Sequence, residues 1–313
     1  METISVHGLR KTYPGGVEAV KGLDFEVEAG EVFGLLGPNG AGKSTTIGML
    51  STTVVPSAGT ALVSGFDVAA SPIEARRASS VVFQEAVVDR PLSGRRNLEL
   101  HARLWGVASR EIEPRIAELA AVLGLGDLLD RSAGSYSGGE RRRLEIARAL
   151  VSQPRVLFLD EPTVGLDPRI RAELLDVIAG LRARDDMTTV LTTHYLDEAE
   201  KLCDRVAIVH AGRIVALDTP AALRATLGRE IVEVRVEGRA DGVLRSLRSD
   251  GIAGPDGFAI GSTLTLPVNE GAAARTVAAI TASGLPTSSV ATRAPTLDDV
   301  YLRLTGDRLA EAA

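Results

Sequence analysis

Residues 37–45 bring glycines, a lysine and two hydroxyl side chains together in one short stretch. The stretch reads Gly37, Pro38, Asn39, Gly40, Ala41, Gly42, Lys43, Ser44 and Thr45. It matches the pattern G-x-x-x-x-G-K-[ST], in which glycines turn successive backbone N–H groups toward phosphate oxygens. Lys43 would place its charge on the β- and γ-phosphates, and the Ser44 hydroxyl would bind Mg²⁺. A glycine-rich turn with an incidental lysine is the alternative, but a predicted strand precedes the stretch and a predicted helix follows it, as a phosphate-binding loop requires.

A second candidate lies at the end of an apolar run over residues 156–159. Asp160 and Glu161 follow this run directly. A buried strand of a parallel sheet presents the residues at its carboxyl end where ligands bind. We therefore expect Asp160 to hold Mg²⁺ and Glu161 to act as the general base that polarises an attacking water. Taken alone, an acidic pair after a strand is also typical of a helix N-terminus.

Residues 136–140 form a third candidate. They read Tyr136, Ser137, Gly138, Gly139 and Glu140, and three arginines and a predicted helix follow them. A serine and two glycines at the start of a helix form an anion-binding site, because backbone N–H groups and the helix dipole both favour negative charge. The alternative is an ordinary N-capped helix with a basic first turn.

The elements that must position these residues follow from the hydropathy pattern. Strand-like patterns lie at residues 3–9, 23–28, 31–36, 156–159, 188–191, 206–209 and 214–217. Residues 42–51 are predicted to form a helix, and residues 90–135 carry apolar side chains at helical spacing. The short apolar runs are typical of strands buried on both faces of a parallel sheet. Strands that alternate with helices in this way predict a parallel α/β core.

The sequence changes character after about residue 225. Alternating valines at residues 232–236 predict a half-buried strand, residues 263–268 predict another, and residues 243–247 and 272–282 read as helices. Thr296 and Asp299 are spaced as in a capping box before a final helix. We predict a first domain over residues 1–222, with a helical subdomain at about 87–150, and a small α+β accessory domain over residues 223–313.

Composition excludes several classes of protein. The 313 residues are 45% hydrophobic and 24% charged, which excludes a mainly disordered chain. No apolar run approaches the ~20 residues of a membrane-spanning helix, and the N-terminus lacks the features of a signal peptide. A single cysteine, Cys203, excludes an internal disulfide and fits a reducing cytoplasm. The net charge of −6 argues against a nucleic-acid partner bound through bulk charge.

Taken in order, the motifs resemble those of the ATP-binding subunit of ABC transporters over about residues 2–220. The matching segments are residues 37–45, 81–84, 136–140, 156–162 and 165–168, and His194 after Thr192 and Thr193. Six motifs in the family's order are far more specific than any one of them. The resemblance implies an α/β fold of the P-loop NTPase class, an ABC ATPase core with a parallel sheet, an antiparallel β subdomain and a helical subdomain. The C-terminal α+β segment would be an appendage to that core.

The resemblance also implies roles for residues that their spacing does not single out. Tyr13 would stack on adenine, and Gln84 would bind Mg²⁺ and respond to a membrane subunit. Asp167 would link the two sites of a dimer, and His194 would contact the γ-phosphate. Lys43 and Glu161 would complete the catalytic set.

The segment at 136–140 would act as the family's signature, which contacts the ATP of a second subunit. The family's usual signature begins with Leu and ends with Gln, whereas this chain has Tyr136 and Glu140. Ser137, Gly138 and Gly139 are intact, so we expect phosphate contact to survive. A carboxylate at Glu140 near bound ATP is expected to weaken binding slightly.

These roles imply an enzyme that binds ATP and Mg²⁺ and hydrolyses ATP to drive transport. The chain carries one phosphate-binding loop and one signature, about a hundred residues apart. Because the signature of one subunit covers the ATP of another in this family, the resemblance implies a homodimer. It also implies docking on a separate membrane (permease) subunit, and so a peripheral location at the cytoplasmic face of the cell membrane.

Within the family, the chain most resembles ATP-binding subunits of drug and antibiotic exporters of the daunorubicin-resistance type. Residues 82–84, 92–98, 104–106, 141–146 and 294–306 carry this likeness. The main alternative is the ATPase subunit of a polysaccharide or lipid exporter. An alternative of another class is a soluble ABC ATPase that acts on ribosomes or DNA.

Overall fold

The structure is a computed structural model that describes residues 2–85, 87–182 and 187–306. It divides into two compact units, the first ending at Ile214 and the second beginning at Val215. The sequence predicts a domain boundary after residue 222, and this boundary stays a prediction. Within the described residues, no helix combines the length and the apolar character needed to cross a membrane.

Strands and helices alternate through most of the chain. The strands are β1 (Glu2–Tyr13), β2 (Val17–Glu28), β3 (Val32–Leu36), β4 (Ala58–Val63), β5 (Phe66–Asp67), β6 (Ser79–Val82), β7 (Val156–Asp160), β8 (Thr188–Thr193), β9 (Arg205–His210), β10 (Arg213–Asp218), β11 (Glu230–Val236), β12 (Phe258–Ile260), β13 (Thr263–Val268) and β14 (Thr287–Arg293). The helices are α1 (Lys43–Leu50), α2 (Pro72–Ala78), α3 (Gly94–Leu104), α4 (Ser109–Val122), α5 (Gly138–Leu150), α6 (Pro168–Arg182), α7 (Leu196–Leu202), α8 (Pro220–Ala225), α9 (Asp241–Ser249), α10 (Ala273–Ala282) and α11 (Leu297–Thr305).

The largest sheet of the described residues has six strands in the order β10-β9-β3-β8-β7-β6, and its strands β9, β3, β8, β7 and β6 lie within the first unit. The pairs β3–β8, β3–β9, β7–β8 and β6–β7 are parallel. All residues of β3, β7 and β8 are buried, as the continuous apolar runs predict. The register pairs Leu36 with Thr193 and Asp160 with Thr192. The carboxyl ends of three neighbouring strands therefore meet at one edge, which is where ligands bind in parallel sheets.

A second sheet of the first unit is antiparallel, in the order β2-β1-β4-β5. The patterns at residues 3–9 and 23–28 lie within its two longest strands, β1 and β2, which extend well beyond those patterns. Their inward side chains, such as Val6 and Phe25, are buried. Phe25 stacks on Phe33 of β3, with 5.2 Å between ring centroids, so aromatic packing joins this sheet to the central one.

The helical region lies between β6 and β7 and contains α3, α4 and α5. Apolar side chains at helical spacing, among them Leu98, Ile112 and Ile116, are buried, as the sequence predicts. Ser93 caps α3 by accepting a hydrogen bond from the Arg96 N–H at 3.2 Å. The α/β fold class with its parallel sheet, antiparallel sheet and helices is thus confirmed.

The second unit contains one antiparallel sheet, in the order β12-β13-β11-β14. Val232, Val234 and Leu264 are buried in its core together with residues of α9 and α10. The predicted strand at residues 263–268 and the predicted capping box of Thr296 with Asp299 are both present. The sequence pattern misses β12, which has three residues, and β14, which has no fully buried side chain to mark it.

Candidate active site

The loop between β3 and α1 holds the glycine-rich stretch, and two of its glycines are required by contact. A Cβ atom on Gly37 would lie 2.2 Å from the carbonyl oxygen of Val209, and one on Gly42 would lie 2.5 Å from that of Ala19. Gly42 also has φ 103°, a left-handed conformation that favours glycine. The helix α1 begins at Lys43, so its first N–H groups face the loop without intrahelical acceptors. The local backbone therefore suits a bound phosphate.

Lys43 lies at the centre of this loop and is buried. Its ammonium donates to the carbonyl oxygens of Gly37 at 2.8 Å and Pro38 at 3.1 Å. It also forms an ion pair with Glu161, with 3.0 Å between Nζ and Oε1. The fold thus brings the predicted phosphate-binding lysine and the predicted general base into direct contact, although 118 positions separate them in the sequence.

Asp160 and Ser44 form the predicted Mg²⁺ site. The Ser44 hydroxyl donates to Oδ1 of Asp160 at 3.0 Å, and the Thr192 hydroxyl donates to the same oxygen at 2.6 Å. These are hard oxygen donors of the kind that Mg²⁺ prefers. In the described part of the chain, no group of three or more His, Cys, Asp or Glu residues is placed to hold a metal. Mg²⁺ is usually held by one or two protein groups together with substrate phosphates, and Ser44 and Asp160 would supply two such groups.

Glu161 has an unusual backbone conformation and an unusual neighbour. Its φ of 45° lies in the left-handed region, which is rare for residues other than glycine and is concentrated at functional sites. Nδ1 of His194 lies 3.3 Å from Oε2 of Glu161, but the two are not aligned as a hydrogen bond. Both ring nitrogens of His194 are buried, and neither has a hydrogen-bond partner in the part of the chain that the structure describes. Since buried polar atoms are normally paired, this histidine is suited to contact a ligand.

Tyr13 and Gln84, both predicted from the resemblance, differ in their contacts with the candidate site. Tyr13 is the last residue of β1, and its hydroxyl lies 3.4 Å from Oγ1 of Thr45 in the glycine-rich stretch. Its ring is partly exposed, as a stacking surface must be. Gln84 is exposed after β6, and among the described residues no hydrogen bond joins it to Ser44 or Asp160. The structure therefore brings Tyr13 into contact with the loop, and it shows no direct hydrogen bond between Gln84 and the described residues predicted to bind Mg²⁺.

The signature segment forms the N-terminus of α5. Ser137 and Glu140 make a reciprocal capping box, in which the Ser137 N–H donates to Glu140 Oε2 at 2.6 Å and the Glu140 N–H donates to Ser137 Oγ at 3.3 Å. The hydrogen bond from the Ser137 backbone lowers the pKa of Glu140. Tyr136 is buried, and its hydroxyl donates to the carbonyl of Leu128. The two departures from the usual signature are thus part of the helix cap and of the core beneath it.

Gly138 and Gly139 follow this cap, and a Cβ on Gly139 would lie 2.3 Å from Cγ2 of Ile170. Asp167 caps the next helix, α6, by accepting a hydrogen bond from the Ile170 N–H at 3.1 Å. Within the described residues, no hydrogen bond or ion pair joins residues 137–140 or Asp167 to residues 37–45. The chain therefore presents the phosphate-binding loop and the signature as two separate surfaces.

Two functional candidates were not predicted from the sequence. Thr192 bonds Asp160 and also accepts from the Glu161 N–H at 2.9 Å, so it orients both acids. The sequence does not single it out, because four of the six residues of β8 are threonine. Arg142 donates to the carbonyl oxygens around Glu161. Its position within a run of three arginines gives no signal.

A cavity of about 750 Å³ lies elsewhere in the first unit, near the amino ends of β7 and β8. Arg155 and Thr188 line it, and none of the predicted site residues does. The size of this cavity therefore does not point to the candidate site. The buried pair of Lys43 with Glu161 and the left-handed backbone of Glu161 do.

Comparison with known proteins identifies the family to which the chain belongs. A family model described as ABC transporter matches residues 20–164. The chain is 42% identical over 320 residues to the daunorubicin/doxorubicin resistance ATP-binding protein DrrA of Streptomyces peucetius, covering 99% of this chain and 96% of that protein. It is 33% identical to the linearmycin resistance ATP-binding protein LnrL of Bacillus subtilis, covering 98% and 100%.

Among solved structures, the chain is similar to cbiO1 of Clostridium perfringens, a part of the ABC transporter complex cbiONQ. The TM-score is 0.66 at 27% identity, over 79% of this chain and 95% of that one. The similarity to DrrA runs over nearly the whole chain, at an identity well above 30%. The chain therefore belongs to the ATP-binding proteins of ABC transporters and is an ATPase of that family.

Proposed function

We propose that this protein is the ATP-hydrolysing subunit that powers an exporter of drugs or antibiotics through a separate membrane subunit. The observation that carries the catalytic part is the buried contact of Lys43 with Glu161, beside the unpartnered His194 and the Ser44–Asp160 pair. The export part rests on similarity to DrrA and LnrL, both named as resistance proteins, over nearly the full length of each. The membrane subunit would hold the protein at the cytoplasmic face of the cell membrane.

The glycine-rich loop binds the phosphates of ATP. The N–H groups of residues 39–45 and the N-terminus of α1 surround the phosphate oxygens, and Lys43 neutralises their charge. Tyr13 supports the adenine ring from the side of the loop where its hydroxyl meets Thr45. Ser44 and Asp160 would hold Mg²⁺ with Gln84 reaching it from its exposed loop, and the ion would neutralise charge that develops on the phosphates.

Glu161 accepts a proton from the attacking water. The water oxygen forms a bond to the γ-phosphorus, the bond to the β–γ bridging oxygen breaks, and ADP and inorganic phosphate are the products. Phosphate oxygens at Lys43 compete with Glu161 for the ammonium, so substrate binding releases the carboxylate for this role. His194 contacts the γ-phosphate with a ring nitrogen that has no hydrogen-bond partner among the described residues.

A second copy of the chain completes the site. Ser137, Gly138, Gly139 and Glu140 of one copy face the ATP on the loop of the other, and Asp167 links the two sites. ATP then joins the copies because both contact its phosphates, and hydrolysis removes those shared contacts. The separation of loop and signature within one chain supports this arrangement.

Light scattering on the Glu161→Gln variant tests the proposal. The variant keeps the shape of the side chain but cannot accept the proton, so ATP should convert it from monomer to a stable dimer. Magnesium-free ATP and ADP are the comparison samples, and Asp176→Asn, at an exposed surface pair, is the control variant. Undiminished ATP turnover by Glu161→Gln would refute the role of Glu161. A monomer at every ATP concentration would refute a dimer formed by this chain alone.

A further inference from the structure

Arg142 is a buried arginine on α5, and all its donors are used. Nε donates to the carbonyl oxygen of Pro162 at 2.7 Å, and Nη2 donates to those of Asp160 at 3.2 Å and Glu161 at 3.3 Å. Nη1 donates to the carbonyl of Phe83 and to Oε2 of Glu145. A guanidinium has five N–H donors, so the five acceptors satisfy it completely.

Glu145, the ion-pair partner of Arg142, bonds the backbone that follows Gln84 in the chain. The Glu145 carboxylate is buried, pairs with Arg142 at 2.9 Å, and accepts from the Val87 N–H at 2.6 Å. Phe83 immediately precedes Gln84, and Val87 lies three residues after it. The pair on α5 therefore holds the backbone on both sides of Gln84.

The same guanidinium holds the backbone on both sides of the general base. Glu161 has the left-handed φ of 45°, which an unsupported glutamate would leave. Its N–H is fixed by Thr192 and its carbonyl by Arg142, and the carbonyls of the two neighbouring residues are also bonded to Arg142. The direction of the Glu161 side chain is set by this backbone conformation.

We propose that Arg142, paired with Glu145, is a positioning residue for ATP hydrolysis. It fixes the strained backbone that aims Glu161 and ties this backbone to the segment that carries Gln84. A displacement of the Gln84 segment then alters the position of the base through Arg142, in addition to the direct pairing of β6 with β7. The proposal rests on the role of Glu161 in the proposed function.

The variant Arg142→Lys tests this role. Lysine keeps the positive charge beside Glu145, but its three donors cannot reproduce the planar fork. We expect kcat to fall about tenfold or more while KM for ATP changes by less than about threefold, since the glycine-rich loop is intact. Arg115→Lys is the matched control, because Arg115 also bonds one carbonyl and one carboxylate within the helical region, away from the site.

Two further readouts separate positioning from general destabilisation. Hydrogen exchange of the nucleotide-free protein should become faster both around Gln84 and Val87 and around Glu161 in Arg142→Lys, and in neither segment in Arg115→Lys. In single-turnover assays, Arg142→Lys should lower the residual rate of Glu161→Gln by less than about twofold, because residues that act through one another are not additive.

The variant Glu145→Gln provides a second route if Arg142→Lys does not fold. It leaves Arg142 in place but removes its charged partner, and it should accelerate exchange in the same two segments with a smaller loss of kcat. An unchanged kcat in folded Arg142→Lys, additive losses with Glu161→Gln, or exchange that changes in one segment only would overturn the proposal. The exchange result does not depend on ATP, so it stands apart from a failure of Glu161 as the base.

Discussion

Each of the two units contains a cluster of opposite charges, and the two clusters are built differently. In the second unit, Arg293 pairs with Asp299 and Glu233, and Asp299 also accepts from the N–H and hydroxyl of Thr296. In the first unit, Lys43 pairs with Glu161, whose backbone has a left-handed φ. The adjacent His194 has no hydrogen-bond partner among the described residues. The hydrogen bonds of the Arg293 cluster are made within the second unit, whereas the proposed function has a ligand complete the Lys43 cluster.

The pKa values in the second unit agree with a structural role. Hydrogen bonds from Arg293 to Asp299 are the main reason that the pKa of Arg293 is raised. Burial raises the pKa of Asp299, but the hydrogen bonds from Arg293 and Thr296 outweigh it and leave that pKa below its ordinary value. Both groups therefore stay charged, and the cluster fastens α11 to the sheet. The comparison teaches that a satisfied cluster supports a fold, whereas an unsatisfied one marks a site.

The largest effect is expected for Lys43→Met, which removes one half of the buried pair. It should lower the free energy of unfolding by about 3 kcal/mol, because Glu161 is left charged and unpaired, and should abolish ATP binding at millimolar concentrations. Urea unfolding measures the loss of stability, and nucleotide titration measures the loss of binding.

The double variant Lys43→Met/Glu161→Gln should recover most of the stability but not the ATP binding. Lys201→Met, at an exposed pair with Asp176, is the control. Recovered binding would contradict the role of Lys43.

Asp299→Asn should destabilise the second unit by roughly 1–3 kcal/mol, a value reduced because Arg293 is 35% exposed. ATP hydrolysis should be unchanged once the protein is folded. Since the folded-state pKa of Asp299 is lowered, its contribution is complete above the ordinary value of 3.8 and is lost as the pH falls through the lowered pKa. Denaturant unfolding of wild type and variant between pH 7 and acid should therefore converge only below that value. Asp250→Asn, at an exposed acid, should show no difference at any pH.

His101 tests whether a buried nitrogen without a hydrogen bond always marks a site. Its Nε2 is buried and has no hydrogen-bond partner among the described residues, although His101 lies on α3 and is not a predicted site residue. Burial, with a smaller effect of Arg148, lowers its pKa from 6.5 to about 4. The unfolded chain therefore takes up the proton first, and stability should fall by roughly 1–2 kcal/mol between pH 7 and pH 5. His101→Leu should remove this part of the pH dependence. An identical pH dependence in wild type and variant would show that the nitrogen is accessible to water.

The smallest effect is expected for Glu140→Gln, which restores the usual signature residue. An amide oxygen can also accept the Ser137 N–H, so the free energy of unfolding should change by less than about 0.5 kcal/mol. Removing one negative charge near the phosphates should lower the ATP concentration for half-maximal dimerisation by about twofold to threefold. Titration by light scattering in the Glu161→Gln background measures this shift. A shift in the opposite direction would mean that Glu140 does not face the ATP.

Much of the fold could be predicted because burial leaves a periodic record. The apolar runs of β3, β7 and β8 predicted a parallel sheet, and the alternation in β11 predicted a strand with one buried face. The strands β12 and β14 were missed, because the first is short and the second has no fully buried residue. Such strands form because neighbouring strands pair with them, and not because of their own pattern.

Sequence patterns and the family resemblance predict the chemical groups of the candidate site: the glycine-rich loop with Lys43 and Ser44, the acids Asp160 and Glu161, His194, and the signature at 136–140. Spacing carries this information because a loop or a strand end places its residues locally. Three contacts could be read from the folded chain alone: Lys43 contacts Glu161, Thr192 bonds both acids, and Arg142 bonds the backbone around Glu161. These contacts join segments far apart in the chain, and the register of the parallel strands and the burial of α5 decide them. No local pattern records a hydrogen bond to a distant carbonyl group, because every residue has one.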